Sequence, residues 1–342
     1  MPELRLNIAT NDWVIISTER AKRPDEFRTT KKADRYLPPY HEKCPFCSGM
    51  EAEKACGEIS SLNDEDGRWL VRSVPNKYPA LSSEGGLDAA DSGIYHTMNG
   101  VGAHEVIIES RAHNLTTALY DTCQLEKIVE MYKARYLELS KDRRLAQITI
   151  FKNHGESAGT SLEHPHSQIV ATPIVPKHIS DRLRSARDFH DEHSQCVYCT
   201  MISEELKSAE RIVVENEHFA ALEPYASFSP FHTWIIPKTH RSSFGGISTD
   251  EIKSFAAILK ETMARLYYGL GNPDFNYCIR TSPVAGGEME YFHWYTAIVP
   301  RLSKPAGFEM GSGMWINTSF PEHCAEFLRK VEIPSMQSAV TM

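Results

Sequence analysis

The ten residues at 161–170, SLEHPHSQIV, set two histidines either side of one proline. In an extended segment, positions i and i+2 point to the same side, so His164 and His166 can serve one pocket. Such a pair can supply metal ligands, a nucleophile with its support, or two ordinary loop histidines. Four of the eight cysteines form two C-x-x-C pairs, Cys44/Cys47 in CPFC and Cys196/Cys199 in CVYC. A redox pair would want a thioredoxin-like βαβ context, which the flanking pattern lacks. Half a zinc site is the stronger reading, provided each pair finds two further ligands. Cys56, Cys123, Cys278 and Cys324 are scattered and read as core or surface fillers.

The missing ligands emerge when the two halves of the chain are laid side by side. After Cys44/Cys47 come RWLVRSVPNKYPAL and HEVIIESRAH, ending at His113; after Cys196/Cys199 come RIVVENEHFAALEPYA and HTWIIPKTH, ending at His240. Alternating β-branched and aromatic residues predict strands in all of them. A capping-box-like helix start follows each histidine, at Asp121/Gln124 and Ser248/Glu251. The predicted helices share an apolar stripe: Leu125, Ile128, Val129, Tyr132, Tyr136 and Leu139 in one, Ile252, Phe255, Leu259, Met263 and Leu266 in the other. Each feeds a strand, AQITIFKNHG or FNYCIRTSP, and then a second histidine, His164 or His293. Two Cys₂His₂ sets result: Cys44, Cys47, His113 and His164, then Cys196, Cys199, His240 and His293. Four protein ligands close a tetrahedral zinc, so both sites are expected to be structural rather than catalytic.

This repeat isolates the chemistry. The first half reads His164-Pro165-His166 where the second reads His293-Trp294-Tyr295. His166 is therefore the surplus imidazole, and a neutral ring nitrogen can attack an electrophile if its other nitrogen is held by a hydrogen bond. A nearby backbone carbonyl, such as that of His164, would do this. Beside it, NHGESAGTS (153–161) offers small residues that let backbone amides approach an anion, and Asn153, Ser161 and Gln168 add neutral donors. That set suits a phosphoryl group moving on and off a histidine. Tyr295 has no assigned part.

The repeat predicts two tandem halves, each of strands with a packed helix. The halves are set at 1–178, with the H-P-H and the first zinc site, and 179–342, with the second. HISDRLRSARDFHDEHSQ, between them, reads as a polar connecting helix. The 342 residues, 41% hydrophobic and 24% charged, can bury a sizeable core. A net charge of −8 argues against a nucleic-acid surface. No apolar run reaches a membrane span, and the start lacks a signal-peptide layout, so a cytoplasmic protein is expected.

The stretch GTSLEHPHSQIVATP, with CPFC, RAKRP and RSVPNKYPAL, resembles the galactose-1-phosphate uridylyltransferase family of the histidine-triad superfamily. The resemblance runs from NDWVIISTERAKRP to GFEMGSG. It implies an α+β fold of two tandem histidine-triad-like halves, each an antiparallel sheet with a packed helix, together with a homodimer, nucleotide-sugar and sugar-phosphate substrates, and ping-pong transfer through a nucleotidyl bond to His166. By the same resemblance Ser161, Gln168 and Asn153 hold phosphate oxygens and Asn76 contacts the nucleoside. Arg20 and Arg23 of RAKRP match positions near the phosphates, often reaching from the partner subunit, and otherwise read as a solvated basic turn. Glu309 in GFEM matches a carboxylate that receives sugar hydroxyls, and otherwise reads as a surface salt-bridge partner. Two departures matter. Leu162-Glu163 stands where the archetype has Asn-Pro, and the second half keeps a full Cys₂His₂ set. The doubled metal set resembles a sister branch containing ADP-glucose phosphorylase, while Pro165 leans toward the uridylyltransferases. Two rivals fit less well. A hydrolase of the superfamily is usually a single half-length domain with a further histidine where Gln168 stands, and a zinc-ribbon adaptor needs basic or exposed aromatic surfaces.

Overall fold

Strand-forming runs in both halves assemble into one sheet rather than two. The structure, a computed structural model, describes residues 1–17, 24–28, 37–47 and 57–334. Arg20, Arg23 and Cys56 lie outside these residues. A small N-terminal hairpin, β1 (Glu3–Asn7) and β2 (Asp12–Ile16), precedes the first half. That half contributes β3 (Ser60–Asn63), β4 (Trp69–Pro75), β7 (Ala103–Ile108), β8 (Gln147–His154) and β9 (His166–Thr172), with an exposed hairpin β5 (Ala89–Ser92) and β6 (Tyr95–Met98) inserted. The second half contributes β10 (Ile212–Glu215), β11 (Phe219–Leu222), β12 (Thr233–Pro237), β13 (Phe275–Arg280) and β14 (Tyr295–Pro300).

The ten main strands run β10-β11-β12-β14-β13-β8-β9-β7-β4-β3, and every pairing is antiparallel. Each half is a five-stranded antiparallel unit, as expected, but β8 and β13 pair directly, with Asn153 opposite Asn276 and Lys152 opposite Tyr277. The pairing covers an edge that each half would otherwise leave open, and it brings second-half residues to the first half's histidines.

One face of this sheet carries the two long helices, α1 (Thr122–Leu139) and α4 (Thr249–Leu270). Their stripes bury against Ile107, Ile150, Ile169, Tyr277, Ile279 and Ile298 in a single core, with Leu139 partly buried at its margin. Each fully buried aliphatic or aromatic side chain contributes about 1.5–3 kcal/mol. The two caps differ. Ser248 and Glu251 form a reciprocal capping box. Asp121 accepts from the Gln124 amide at 2.7 Å, but the Gln124 side chain donates to the carbonyls of Leu70 and Glu109 and staples the helix to the sheet instead.

The opposite face differs between halves. Over the second half lie the connecting helix α2 (Lys177–His193), α3 (Val197–Ser208) and a three-stranded sheet of β1, β2 and β15 (Trp315–Asn317). Their apolar residues, Ala186 and Tyr198 among them, close on Trp234, Phe292 and Tyr295. Over the first half, this face holds His166. Among the described residues no helix is long and apolar enough to cross a membrane.

Candidate active site and metal centres

Strand period 2 decides what faces the open side of β9. Ile169 and Ala171 join the helix-side core, and the Ser167 hydroxyl lies 2.7 Å from the Tyr132 hydroxyl on that side. His166 and Gln168 therefore point the other way. His166 is buried, and its Nδ1 donates to the His164 carbonyl at 2.8 Å. That bond fixes the proton on Nδ1 and leaves the Nε2 lone pair free. Burial, aided by the Lys152 ammonium nearby, holds the ring below the ordinary histidine value, so it stays neutral.

A cavity of about 300 Å³ opens at His166, lined by Asn153, Gly155, Ser161 and Asp274 among others. The 155–161 loop that walls it turns on Gly155 (φ 83°) and Gly159 (φ 84°), a left-handed backbone that favours glycine. At Gly155 space is also short: a Cβ there would sit 1.7 Å from Asp274 Oδ1. Asp274, from the second half, accepts the Ser157 amide at 2.8 Å and so braces the loop. Asn276, also from the second half, donates to Asn153 Oδ1 at 2.7 Å, leaving the Asn153 amide hydrogens to turn elsewhere. The anion-suited loop of one half is thus held by the other.

Gln168 and Asn76 meet at a residue the sequence reading passed over, His104. Its Nδ1 accepts from the Ala80 amide at 3.2 Å, which puts the proton on Nε2. That nitrogen lies 2.8 Å from Gln168 Oε1 and 3.0 Å from the Asn76 amide nitrogen. With its oxygen engaged, Gln168 keeps its NH₂ as a donor. His104, the second residue of β7, has a counterpart in His232, just before β12, and the shared H-x-x-I-I of HEVII and HTWII was the signal for it. Beneath the sheet the fully buried Lys152 ammonium pairs with Glu109, which also accepts from Tyr132 at 3.1 Å and Tyr120 at 3.3 Å. No sequence motif announced this network. Glu309 is placed elsewhere. It caps its own short helix, α5 (Gly307–Ser312), by accepting the Ala306 amide at 2.9 Å, and does not line the His166 cavity.

Both Cys₂His₂ groups come together. In each, the four ligand atoms lie within 4.8 Å of one another. Cys47 Sγ is 3.5 Å from His113 Nδ1 and 3.7 Å from His164 Nδ1; Cys199 Sγ is 3.3 Å from His240 Nδ1 and 3.6 Å from His293 Nδ1. The outer nitrogens of His164 and His240 face the carbonyls of Ser110 (2.8 Å) and Met289 (2.9 Å). Those bonds put the protons outside and aim the lone pairs inward, as a metal requires. Burial pushes the Cys44 thiol up to about 11, the behaviour of a sulfur that ionises only with a cation beside it. The groups can hold metal ions.

Residues 1–176 match the family model described as galactose-1-phosphate uridyl transferase, N-terminal domain, and residues 182–308 match the C-terminal domain of the same family. An ADP-glucose phosphorylase of Arabidopsis thaliana is 38% identical over 97% of this chain and 93% of its own. A galactose-1-phosphate uridylyltransferase of Thermotoga maritima is 31% identical over 97% of this chain and 99% of its own. Among solved structures, an Arabidopsis thaliana ADP-glucose phosphorylase with bound ADP-glucose superposes with a TM-score of 0.82 at 35% identity, covering 98% of this chain and 100% of the other.

Proposed function

The chain belongs to the galactose-1-phosphate uridyl transferase family, and we propose that it works as a hexose-1-phosphate uridylyltransferase through a covalent nucleotidyl bond to His166. One observation carries this reading: His166, the imidazole of H-P-H to which Tyr295 corresponds in the second half, stands at the cavity, with Nδ1 tied to the His164 carbonyl and Nε2 free.

In this mechanism Nε2 attacks the α-phosphorus of UDP-glucose. The N–P bond forms as the bond to the β-phosphate oxygen breaks, and glucose 1-phosphate leaves with that electron pair. A phosphate oxygen of a second hexose 1-phosphate then attacks the same phosphorus, and the pair in the N–P bond returns to Nε2. Splitting the exchange into two similar displacements lets one pocket serve both. Ser161, Asn153, Gln168 and the loop amides offer neutral donors to the phosphate oxygens, and Asn76 lies beside Gln168 to meet the nucleoside. Arg20 and Arg23 would add cations near the phosphates, and Glu309 would receive sugar hydroxyls only if another copy of the chain delivered it. That requirement agrees with a homodimer.

Zinc in both Cys₂His₂ sets would tie β-strand loops together and supply no step of the reaction. At the first set it would anchor His164, whose carbonyl orients His166. The halves 1–178 and 179–342 would then be a working half and a bracing half, in a cytoplasmic enzyme.

A specific observation favours a second reading. The Arabidopsis ADP-glucose phosphorylase is more similar in sequence than the Thermotoga uridylyltransferase, 38% against 31%, and the doubled metal set resembles that branch. Under it, the histidine carries an adenylyl group and passes it to inorganic phosphate. Intact-mass measurement after incubation with UDP-glucose and, separately, ADP-glucose decides. A UMP adduct supports uridylyl transfer and an AMP adduct supports the phosphorylase; no adduct from either contradicts both.

A further inference from the structure

The second half has its own cavity where the first has the His166 site. It lies on the same face of the sheet, has a volume of about 210 Å³, and opens beside Tyr295, the counterpart of His166. Arg182 of α2 and Arg280 at the end of β13 stand in its walls. Neither guanidinium makes a hydrogen bond or ion pair among the described residues, and Nε and Nη1 of Arg182 and Nε of Arg280 are buried without a partner. His232 adds a fourth such group. Its Nε2 accepts from the Trp234 indole at 3.0 Å, so its proton sits on Nδ1, which is also buried and unmatched. Burial first, and then the two guanidiniums, hold His232 down to about 3, which keeps the ring neutral and places both cations near it.

These four groups are donors, and the Thr10 hydroxyl, a fifth buried and unmatched group in the lining, can donate as well. Asp12 is the one carboxylate in the cavity lining, and it forms no ion pair with either arginine. Both arginines are half-buried, and buried guanidinium nitrogens without partners are costly, so a wall with three of them calls for an anion. Planar guanidinium forks suit phosphoryl oxygens. Next to them is an aromatic wall: the Phe228 ring lies 4.1 Å from His232 and 5.1 Å from Trp315, centroid to centroid.

We propose that this cavity is a second, non-catalytic anion site that takes a phosphoryl group between Arg182 and Arg280, either free phosphate or a phosphate monoester whose ring meets the aromatic wall. With tyrosine in place of the nucleophilic histidine, the ligand is held and not bonded. The site stands on its own residues and does not depend on the role of His166.

The test is calorimetric titration of the full chain and of its R182Q and R280Q variants with inorganic phosphate, glucose 1-phosphate and UMP. The wild-type chain is expected to show a class of sites that either variant weakens at least tenfold, while nucleotidyl transfer stays within twofold. Weakening for all three probes identifies phosphate as sufficient; weakening for the monoesters alone identifies the ring as part of the ligand. Identical titrations of wild type and variants with every probe overturn the proposal. Tungstate soaked into wild-type crystals reads the site without any substitution: anomalous density between the two guanidiniums supports it, and density confined to the His166 cavity, or none, contradicts it.

Discussion

The Nδ1 nitrogen of His166 lies 2.8 Å from the carbonyl oxygen of His164, two residues earlier in the same extended segment. His164 in turn points its own Nδ1 at Cys47 and its Nε2 at the Ser110 carbonyl. A metal-ligand group and a candidate nucleophile are therefore coupled through one peptide unit. The first residue fixes the backbone, and the backbone selects the tautomer of the second.

The coupling separates two substitutions. His166→Ala removes the ring but no metal ligand, so it is expected to keep its metal content by elemental analysis and its thermal midpoint to within a few degrees. Nucleotidyl exchange falls by a factor on the order of 10⁴ or more. Cys44→Ser is expected to lose metal and several kcal/mol of stability together, about the scale of a structural zinc site.

Gly155→Ala meets two obstacles at once, a left-handed φ of 83° and Asp274 Oδ1 at 1.7 Å from the new Cβ. The loop must shift, with an expected loss of about 2–4 kcal/mol. Urea unfolding measures it. The same change at Gly159, where a Cβ would meet nothing, is expected to cost only about 1 kcal/mol.

Lys152→Met leaves Glu109 buried without its cation beneath the active strand. Breaking such a pair costs about 3–5 kcal/mol, read as a lowered denaturation midpoint. Replacing both partners, Lys152→Met with Glu109→Gln, is expected to recover much of the loss, because no lone charge then remains inside.

His232 sets a pH dependence with a definite sign. Its folded value, about 3, lies below the ordinary 6.5. As pH falls through 6.5 the unfolded chain takes up a proton that the folded ring refuses, so stability declines with falling pH down to the folded value. The slope from this group is about 1.4 kcal/mol per pH unit. His232→Gln is expected to flatten the difference between urea unfolding at pH 7 and pH 5; an unchanged difference would rule out this origin.

What the sequence made legible followed from duplication. Repeated spacing picked out both Cys₂His₂ groups, which the fold does bring together, and left His166 as the odd residue, which the fold does set at a cavity. Helix stripes and one capping box also carried through. Features created by pairing between distant strands were invisible. The Lys152–Glu109 pair, the Asp274 brace and the β8–β13 junction depend on register, which no local pattern encodes. His104 shares only the short H-x-x-I-I pattern with His232 and lies within a strand, where a histidine carries no ligand or nucleophile spacing of its own. Glu309 was matched by its motif alone, and the chain folds it back onto its own helix.

The most direct test of the central claim is peptide mapping by mass spectrometry of the enzyme quenched at alkaline pH during turnover with a nucleotide sugar. A nucleoside monophosphate on the peptide containing SLEHPHSQIV, with fragment ions assigning it to His166, is the predicted result. An adduct on any other residue, or burst-free turnover with no adduct at all, would contradict it.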